Sequence, residues 1–300
     1  MLQPRLLAVM LLFGSCLIAV QPTSAQSLLD LVEEEETTDY AIGTFKTTRV
    51  INGHSVQSNG KKQLQFMIMH RFGMLNSGWR DLFGVDNATV RFHLEYGVTD
   101  WLDIGIGRSS FQKTYDAMAK AKVLRQSSGA KSMPISLSAF CSIAMNTSEW
   151  PEPDRPNYFS SRLSYTGQLL VARKFTDGFS AQLTPTLVHR NLVSTSEDKN
   201  DVFALGIGAR QKITQSLTIN VEYFYVFPDQ IISPIQGQKV RDALSIGIDL
   251  ETGGHVFQLH LTNSRGMVER FFVTETTGNW LDNGIHFGFN ISRGFALGKE

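Results

Sequence analysis

The sequence predicts an all-β fold, a transmembrane antiparallel up-and-down β-barrel of twelve strands, on three observations. The first is a two-residue rhythm that runs almost to the last residue. In the stretch 217–227, Leu217, Ile219, Val221, Tyr223, Tyr225 and Phe227 form one face, and Thr218, Asn220 and Glu222 the other. Successive strand side chains point to opposite faces, so this stretch is apolar on one side and wet on the other. The second is a set of connections that are short at one end of the strands and long at the other. The third is an N-terminal leader of the export type. Backbone polar groups inside lipid must all be satisfied internally, and a sheet achieves that only by closing on itself.

Bulk composition agrees. The 300 residues carry a formal net charge of zero, so nothing in the charge balance points to nucleic acid. A hydrophobic content of 42% suits a barrel, in which only alternate strand residues must meet lipid. A bundle of membrane helices would need about 20 consecutive apolar residues per helix.

The leader comes first in chain order. Arg5 supplies a positive start, Leu6 to Val20 an apolar run, and Thr23-Ser24-Ala25 small residues at a cleavage site. Residues 1–25 are therefore read as a signal peptide cut after Ala25. Lipidation at Cys16 is the rival reading; Phe13 and the continued apolar run Leu17 to Val20 argue against it. Cleavage leaves Cys141 as the mature chain's lone cysteine, which can form neither an internal disulfide nor a metal site. It reads as a small apolar strand residue. Residues 26–60 follow as an acidic leader, Glu33 to Glu36, and an N-terminal segment. The stretch 40–54 (YAIGTFKTTRVINGH) alternates poorly and fits a plug, an extra strand or a periplasmic segment.

Residues 61–300 are assigned to the barrel. Its strands are read at 63–72, 88–98, 101–109, 114–124, 134–146, 162–175, 179–191, 201–213, 217–227, 243–252, 255–262 and 284–297. Thr99-Asp100, Thr176-Asp177-Gly178, Thr214-Gln215-Ser216 and Gly253-Gly254 are short turns with Gly or Asp where unusual backbone angles arise. The long connections 73–87, 147–161, 192–200, 228–242 and 263–283 then all fall at the opposite end, as in outer-membrane barrels. Counting 40–54 and 267–273 as strands gives the alternative, fourteen.

The apolar face includes Phe92, Leu94, Ile104, Ile106, Leu205, Ile246, Ile248, Leu259, Ile285 and Phe287, and it holds no charge. A basic residue at the bilayer midplane costs about 2–4 kcal/mol. The opposite face supplies the candidate lumen-lining residues: Arg91, His93, Glu95, Asp103, Asp116, Lys120, Lys122, Arg210, Lys212, Glu222, Asp249, Glu251, His260 and His286. Two readings stand for these mixed charges. They are a cross-braced interior of mutually satisfied acids and bases, or a hydrated passage whose charge tunes selectivity. Gly105, Gly107, Ala204, Gly206, Gly208, Gly247 and Gly288 share that face and leave room for a plug.

Reactive constellations are sparse. His93, His260 and His286, with Glu95 or Asp249, lack any local metal-ligand spacing, and no cofactor is expected. A lipid hydrolase would pair His70 or His189 with Ser109, Ser110 or Ser194, all near the long-loop rim. Such catalysis needs a base within hydrogen-bond reach of the hydroxyl.

Several stretches carry a resemblance. They are His70-Arg71-Phe72-Gly73, Leu82-Phe83-Gly84-Val85-Asp86-Asn87-Ala88, Glu95-Tyr96-Gly97-Val98-Thr99-Asp100-Trp101-Leu102 and Gly105-Ile106-Gly107-Arg108-Ser109. Tyr115-Asp116, Leu124-Arg125-Gln126 and the run from Phe45-Lys46 to Gly53-His54 add to them. In these the chain resembles a family of Gram-negative outer-membrane β-barrels defined only as a domain of unknown function. The resemblance implies a barrel in the outer membrane and transfers no functional residue. Arg71, Asp86, Arg91, Arg108 and Asp116 lie toward one end and are expected to form an ion-pair belt. The stretch 77–84 (SGWRDLFG) is expected to make a short helix over the mouth. The functional expectation is a non-enzymatic outer-membrane protein that passes or binds a small solute. The alternatives are a structural anchor for a partner protein and the lipid hydrolase. The expected partners are outer-membrane lipid and a small solute, with no nucleic acid.

Overall fold

The computed structural model describes residues 37–150 and 153–298. The signal peptide, Cys16 and the acidic run Glu33 to Glu36 lie outside the described residues.

Twelve antiparallel strands close into one barrel. In chain order the described strands are β1 (Thr38–Tyr40), β2 (Gln63–Met74), β3 (Ala88–Gly97), β4 (Leu102–Ser109), β5 (Thr114–Leu124), β6 (Ser127–Gly129) and β7 (Ser136–Asn146). They continue with β8 (Leu163–Lys174), β9 (Phe179–Arg190), β10 (Asp201–Lys212), β11 (Leu217–Val226), β12 (Ala243–Thr252), β13 (His255–Thr262) and β14 (His286–Ala296). The ring uses all of these except β1 and β6, which pair with each other outside it. Neighbours in sequence are neighbours in the ring, and β14 closes on β2 with Phe289 opposite His70 and Ile291 opposite Ile68. The fourteen-strand alternative therefore falls. The stretch 40–54 adds no strand to the ring, and 267–273 runs into helix α1 (Glu269–Thr274). A short apolar run does not by itself distinguish strand from helix.

The wall faces outward as the alternation requires. Ile246, Ile248, Leu259 and Phe287 are exposed, with 44% of Ile246 open on an apolar exterior. Ile285, expected on that face, is instead buried: it precedes β14, and its carbonyl accepts from the Leu75 N–H at 2.8 Å. Cys141 is exposed on the outer wall.

The stretch 77–84 also departs from expectation. It forms two 3-10 turns, Leu75–Ser77 and Trp79–Gly84, rather than a seated helix. Trp79, Leu82 and Phe83 stay exposed, so it does not fill the bore.

Candidate functional site: the occupied bore

The barrel interior is filled from both ends. Residues 44–59 form an almost wholly buried loop that enters from the short-turn end. On its entry side Thr38–Tyr40 pairs with Ser127–Gly129, in the connection between β5 and β7. On its exit side the Lys62 N–H donates to the Gly97 carbonyl at 2.8 Å. Gly97 is required there: a Cβ on it would lie 2.1 Å from the Gly60 carbonyl oxygen.

The inserted loop turns back on itself at Ile51-Asn52-Gly53. Arg49 bridges His54, and the Val50 N–H donates to the Gly53 carbonyl at 2.9 Å. Such a tip presents three consecutive N–H groups with no partner within the loop, and these need an acceptor. Glu222 on β11 provides it. Its carboxylate accepts from Ile51, Asn52 and Gly53 at 3.1, 3.0 and 2.9 Å. Successive backbone N–H groups cradling an anion form a nest.

Around the tip, lumen side chains take up the remaining backbone groups. Gln258 of β13 donates to the Val50 carbonyl, and Asn290 of β14 to the Ile51 carbonyl, at 3.1 and 3.0 Å. Asn52 donates to the Ser245 hydroxyl of β12 and accepts from the Arg71 guanidinium of β2, both at 2.8 Å. Farther toward the short-turn end, Gln182 of β9 both donates to the His54 carbonyl and accepts from the Val56 N–H. Lys120 of β5 donates to the Gln57 carbonyl at 2.6 Å, and Asp103 of β4 accepts from the Asn59 N–H at 2.9 Å. Arg210 of β10 donates to the Thr44 carbonyl at 3.1 Å. The loop is thus tied to most of the ring by hydrogen bonds.

The charged candidates fall into groups. On one wall Arg91 and Asp116 make a buried pair at 2.5 Å across β4. Gly107 permits this crossing, since a Cβ there would sit 2.6 Å from the Asp116 carboxylate. Lys120 approaches Glu95 at 2.9 Å and Asp103 at 3.8 Å, and His93 lies 3.6 Å from Glu95. The expected belt is only partly present, because Arg71 turns to Asn52 and Asn290 while Arg108 faces outward over the Tyr115 ring. Asp249 accepts from Gln258, and buried His260 lies between Gly247 and Gly288. His286 donates through Nδ1 to the Phe72 carbonyl at 2.8 Å. Lys122, Lys212 and Glu251 stand near the short-turn rim. There Lys122 reaches the Asp100 carbonyl, and exposed Glu251 pairs with Lys46 at 2.5 Å. Lys212 is half-buried and its N–H donates to the Gly178 carbonyl.

The long-loop end supplies the second insert. Helix α1 seats Phe272 and Val273 among Val188, Val202, Ala204, Phe224 and Ala243. Phe271 rests on Ala144, and its ring meets that of Phe111 edge-on at 5.0 Å. The two inserts meet through charge: Glu269 of α1 binds Arg49 at 2.9 Å, with His54 at 3.7 Å. Sequence reasoning missed Arg49 and Glu269. A lone charge in a segment of weak alternation gives no sign of a partner 220 positions away.

Above α1 the mouth holds a cavity of about 500 Å3, lined by Asn87, Phe111, Gln112, Asn263, Arg265 and Glu275 among others. Arg270 and Gln112 hold the Glu275 carboxylate at 2.9 and 2.7 Å, while Arg265 is exposed with its guanidinium 5.9 Å from the Phe111 ring centre.

No hydrogen bond among the described residues joins His70 or His189 to Ser109, Ser110 or Ser194. Among the described residues no three His, Cys, Asp or Glu side chains come within metal-binding reach. His189 binds Asp201 at 2.6 Å and Asn191 at 3.0 Å. His70 stacks on Phe289 at 4.9 Å. Ser109 and Ser110 accept from the Phe111 and Val90 N–H groups rather than facing a histidine.

Residues 45–295 match the family profile described as "Membrane bound beta barrel domain (DUF5777)". The chain belongs to this family. It is a membrane-bound β-barrel domain whose family description names no activity. No curated protein sequence matches it. Among solved structures it is similar to the NanC porin, at 8% identity and a TM-score of 0.48, covering 76% of this chain and 97% of that one. The KdgM porin gives 8% and 0.44, covering 79% and 99%. Omp33 of Acinetobacter baumannii gives 10% and 0.39, covering 78% and 99%.

Proposed function

We propose that this protein is an outer-membrane barrel that binds a small polar solute at its long-loop mouth and admits it past helix α1, which packs on the β7–β12 side of the wall, when residues 44–59 leave the bore. The observation that carries the reading is the kind of contact holding that loop. Its tip rests on Glu222 through three N–H groups, and its flanks on Gln258, Asn290, Gln182 and Lys120. Water can replace every one of these bonds, so withdrawal leaves a hydrophilic channel wall. Net hydrogen bonds contribute about 0.5–1.5 kcal/mol each between neutral groups and about 1.5–3 kcal/mol to charged ones such as Glu222 and Lys120, because water competes for the same groups. An apolar seat of equal size would oppose removal much more strongly. The mouth cavity, lined by amides, Arg265 and Glu275, offers donors and acceptors to a solute waiting there.

Planar-bilayer recording tests this reading. The full chain in potassium chloride is expected to stay silent at low voltage. A variant with residues 44–59 replaced by a Gly-Ser linker, shown folded by heat-modifiable migration, is expected to give stepwise currents. A folded but silent variant would remove the passage reading, and steady conduction by the full chain would remove the closed resting state.

A further inference from the structure

A groove of about 600 Å3 runs down the outer wall beneath the long-loop end, remote from the bore. Pairing explains why it is there. In one row Phe92, Arg108, Tyr115 and Met145 stand side by side on β3, β4, β5 and β7. In the next row toward the membrane centre Leu94, Ile106, Ala117 and Ile143 do the same. Ala117 is short between two isoleucines, so the wall is recessed there. Phe66 adds to one flank, and Phe159, from the 3-10 turn Phe159–Arg162, to the top.

The upper row contains a cation. Arg108 lies 4.6 Å above the Tyr115 ring and donates to its neighbour's carbonyl at Ser109. No carboxylate pairs with it among the described residues, and the nearby Asp116 side chain is turned inward and taken by Arg91. Arginines near the short-turn rim also stack on aromatics, Arg173 on Phe175 and Arg293 on Phe295. An interfacial arginine over an aromatic ring is ordinary girdle chemistry. What sets Arg108 apart is the apolar groove directly beneath it.

We propose that this wall is a lipid A site: the groove takes an acyl chain, and Arg108 binds a phosphate of the phosphorylated disaccharide headgroup. The proposal rests on the outer-membrane reading, which faces the long-loop end to the leaflet rich in that lipid, but not on the plug. Charge complementarity supports it. Guanidinium–phosphate pairs are strong and directional, and among the described residues no carboxylate competes for Arg108. A ring stacked on one face of the guanidinium leaves its edge free to donate.

Native mass spectrometry of the full mature chain in detergent, titrated with bisphosphorylated lipid A, tests the site. One lipid is expected to be retained. Arg108→Gln is expected to weaken retention at least fivefold, as is Ala117→Phe, which fills the groove floor. Arg293→Gln, at the other rim, is expected to change nothing, and lipid A stripped of phosphate should bind equally weakly to wild type and Arg108→Gln. Heat-modifiable migration checks that each variant is folded. Wild-type retention by folded Arg108→Gln and Ala117→Phe would overturn the proposal. So would equal binding of phosphate-free lipid A, or retention of phosphatidylglycerol as tightly as lipid A.

Discussion

The two pieces of chain that enter the bore are held by opposite chemistries. Helix α1 is seated by apolar contacts, with Phe272 fully buried against Phe224 and Val273 beside it. Residues 44–59 are seated mainly by hydrogen bonds, with a smaller apolar contact of Phe45, Val50 and Val56 on Ala172. Burying an aromatic or aliphatic side chain contributes about 1.5–3 kcal/mol, and leaving the pocket forfeits that term. A buried amide that leaves for water recovers its partners at once. The upper insert therefore behaves as part of the core, and the lower one as a removable piece. The Arg49–Glu269 pair is where the two meet.

Phe272→Ala should show the largest effect, a loss of about 3–5 kcal/mol of stability from the cavity it leaves. Its conductance is expected to remain that of wild type, because the lower insert is untouched. Urea unfolding in detergent and bilayer recording check the two halves of that expectation. Arg49→Met leaves Glu269 buried without its cation and should cost about 3 kcal/mol; adding Glu269→Leu should return most of it. A double-mutant cycle that shows no such recovery would mean the inserts are not coupled. Glu222→Gln is expected to cost roughly 1–3 kcal/mol, since a neutral amide oxygen is a weaker acceptor for three N–H groups. Unlike Phe272→Ala, it should produce intermittent channel openings.

The smallest effect sharpens the comparison from outside the bore. Asp198 clasps the loop 227–242 by accepting from the Ile232 and Ser233 N–H groups at 2.8 and 2.9 Å. Burial pushes its carboxyl up, but those N–H groups outweigh it and hold it below the ordinary value of 3.8. A depressed folded value means the clasp is fully present above 3.8 and is lost as pH falls through the folded value. Proteolysis of that loop should rise in acid for wild type. Asp198→Asn should be cut at a rate that no longer changes over that range.

The wall was legible and the bore was not, for one physical reason. Lipid imposes the same requirement on every outward position, so alternation alone located β5, β12 and β13 to the residue. Inward positions answer to partners chosen by closure. Nothing local says that Arg71 turns to Asn52 rather than to Asp86, or that Glu222 receives a backbone tip. The stretch 40–54 lacked rhythm because its surroundings are polar on most sides, with one small apolar contact, which left plug, extra strand and periplasmic segment open. Helix α1 was open to reading as a strand because Phe271, Phe272 and Val273 are apolar in succession.

Hydrogen–deuterium exchange across residues 48–55 tests the central claim most directly, that this tip is seated inside the barrel. The Ile51, Asn52 and Gly53 amides are expected to be protected in the folded protein nearly as well as those of β11, and to lose that protection in Glu222→Gln. Exchange as fast as that of the exposed loop 77–83 would contradict it.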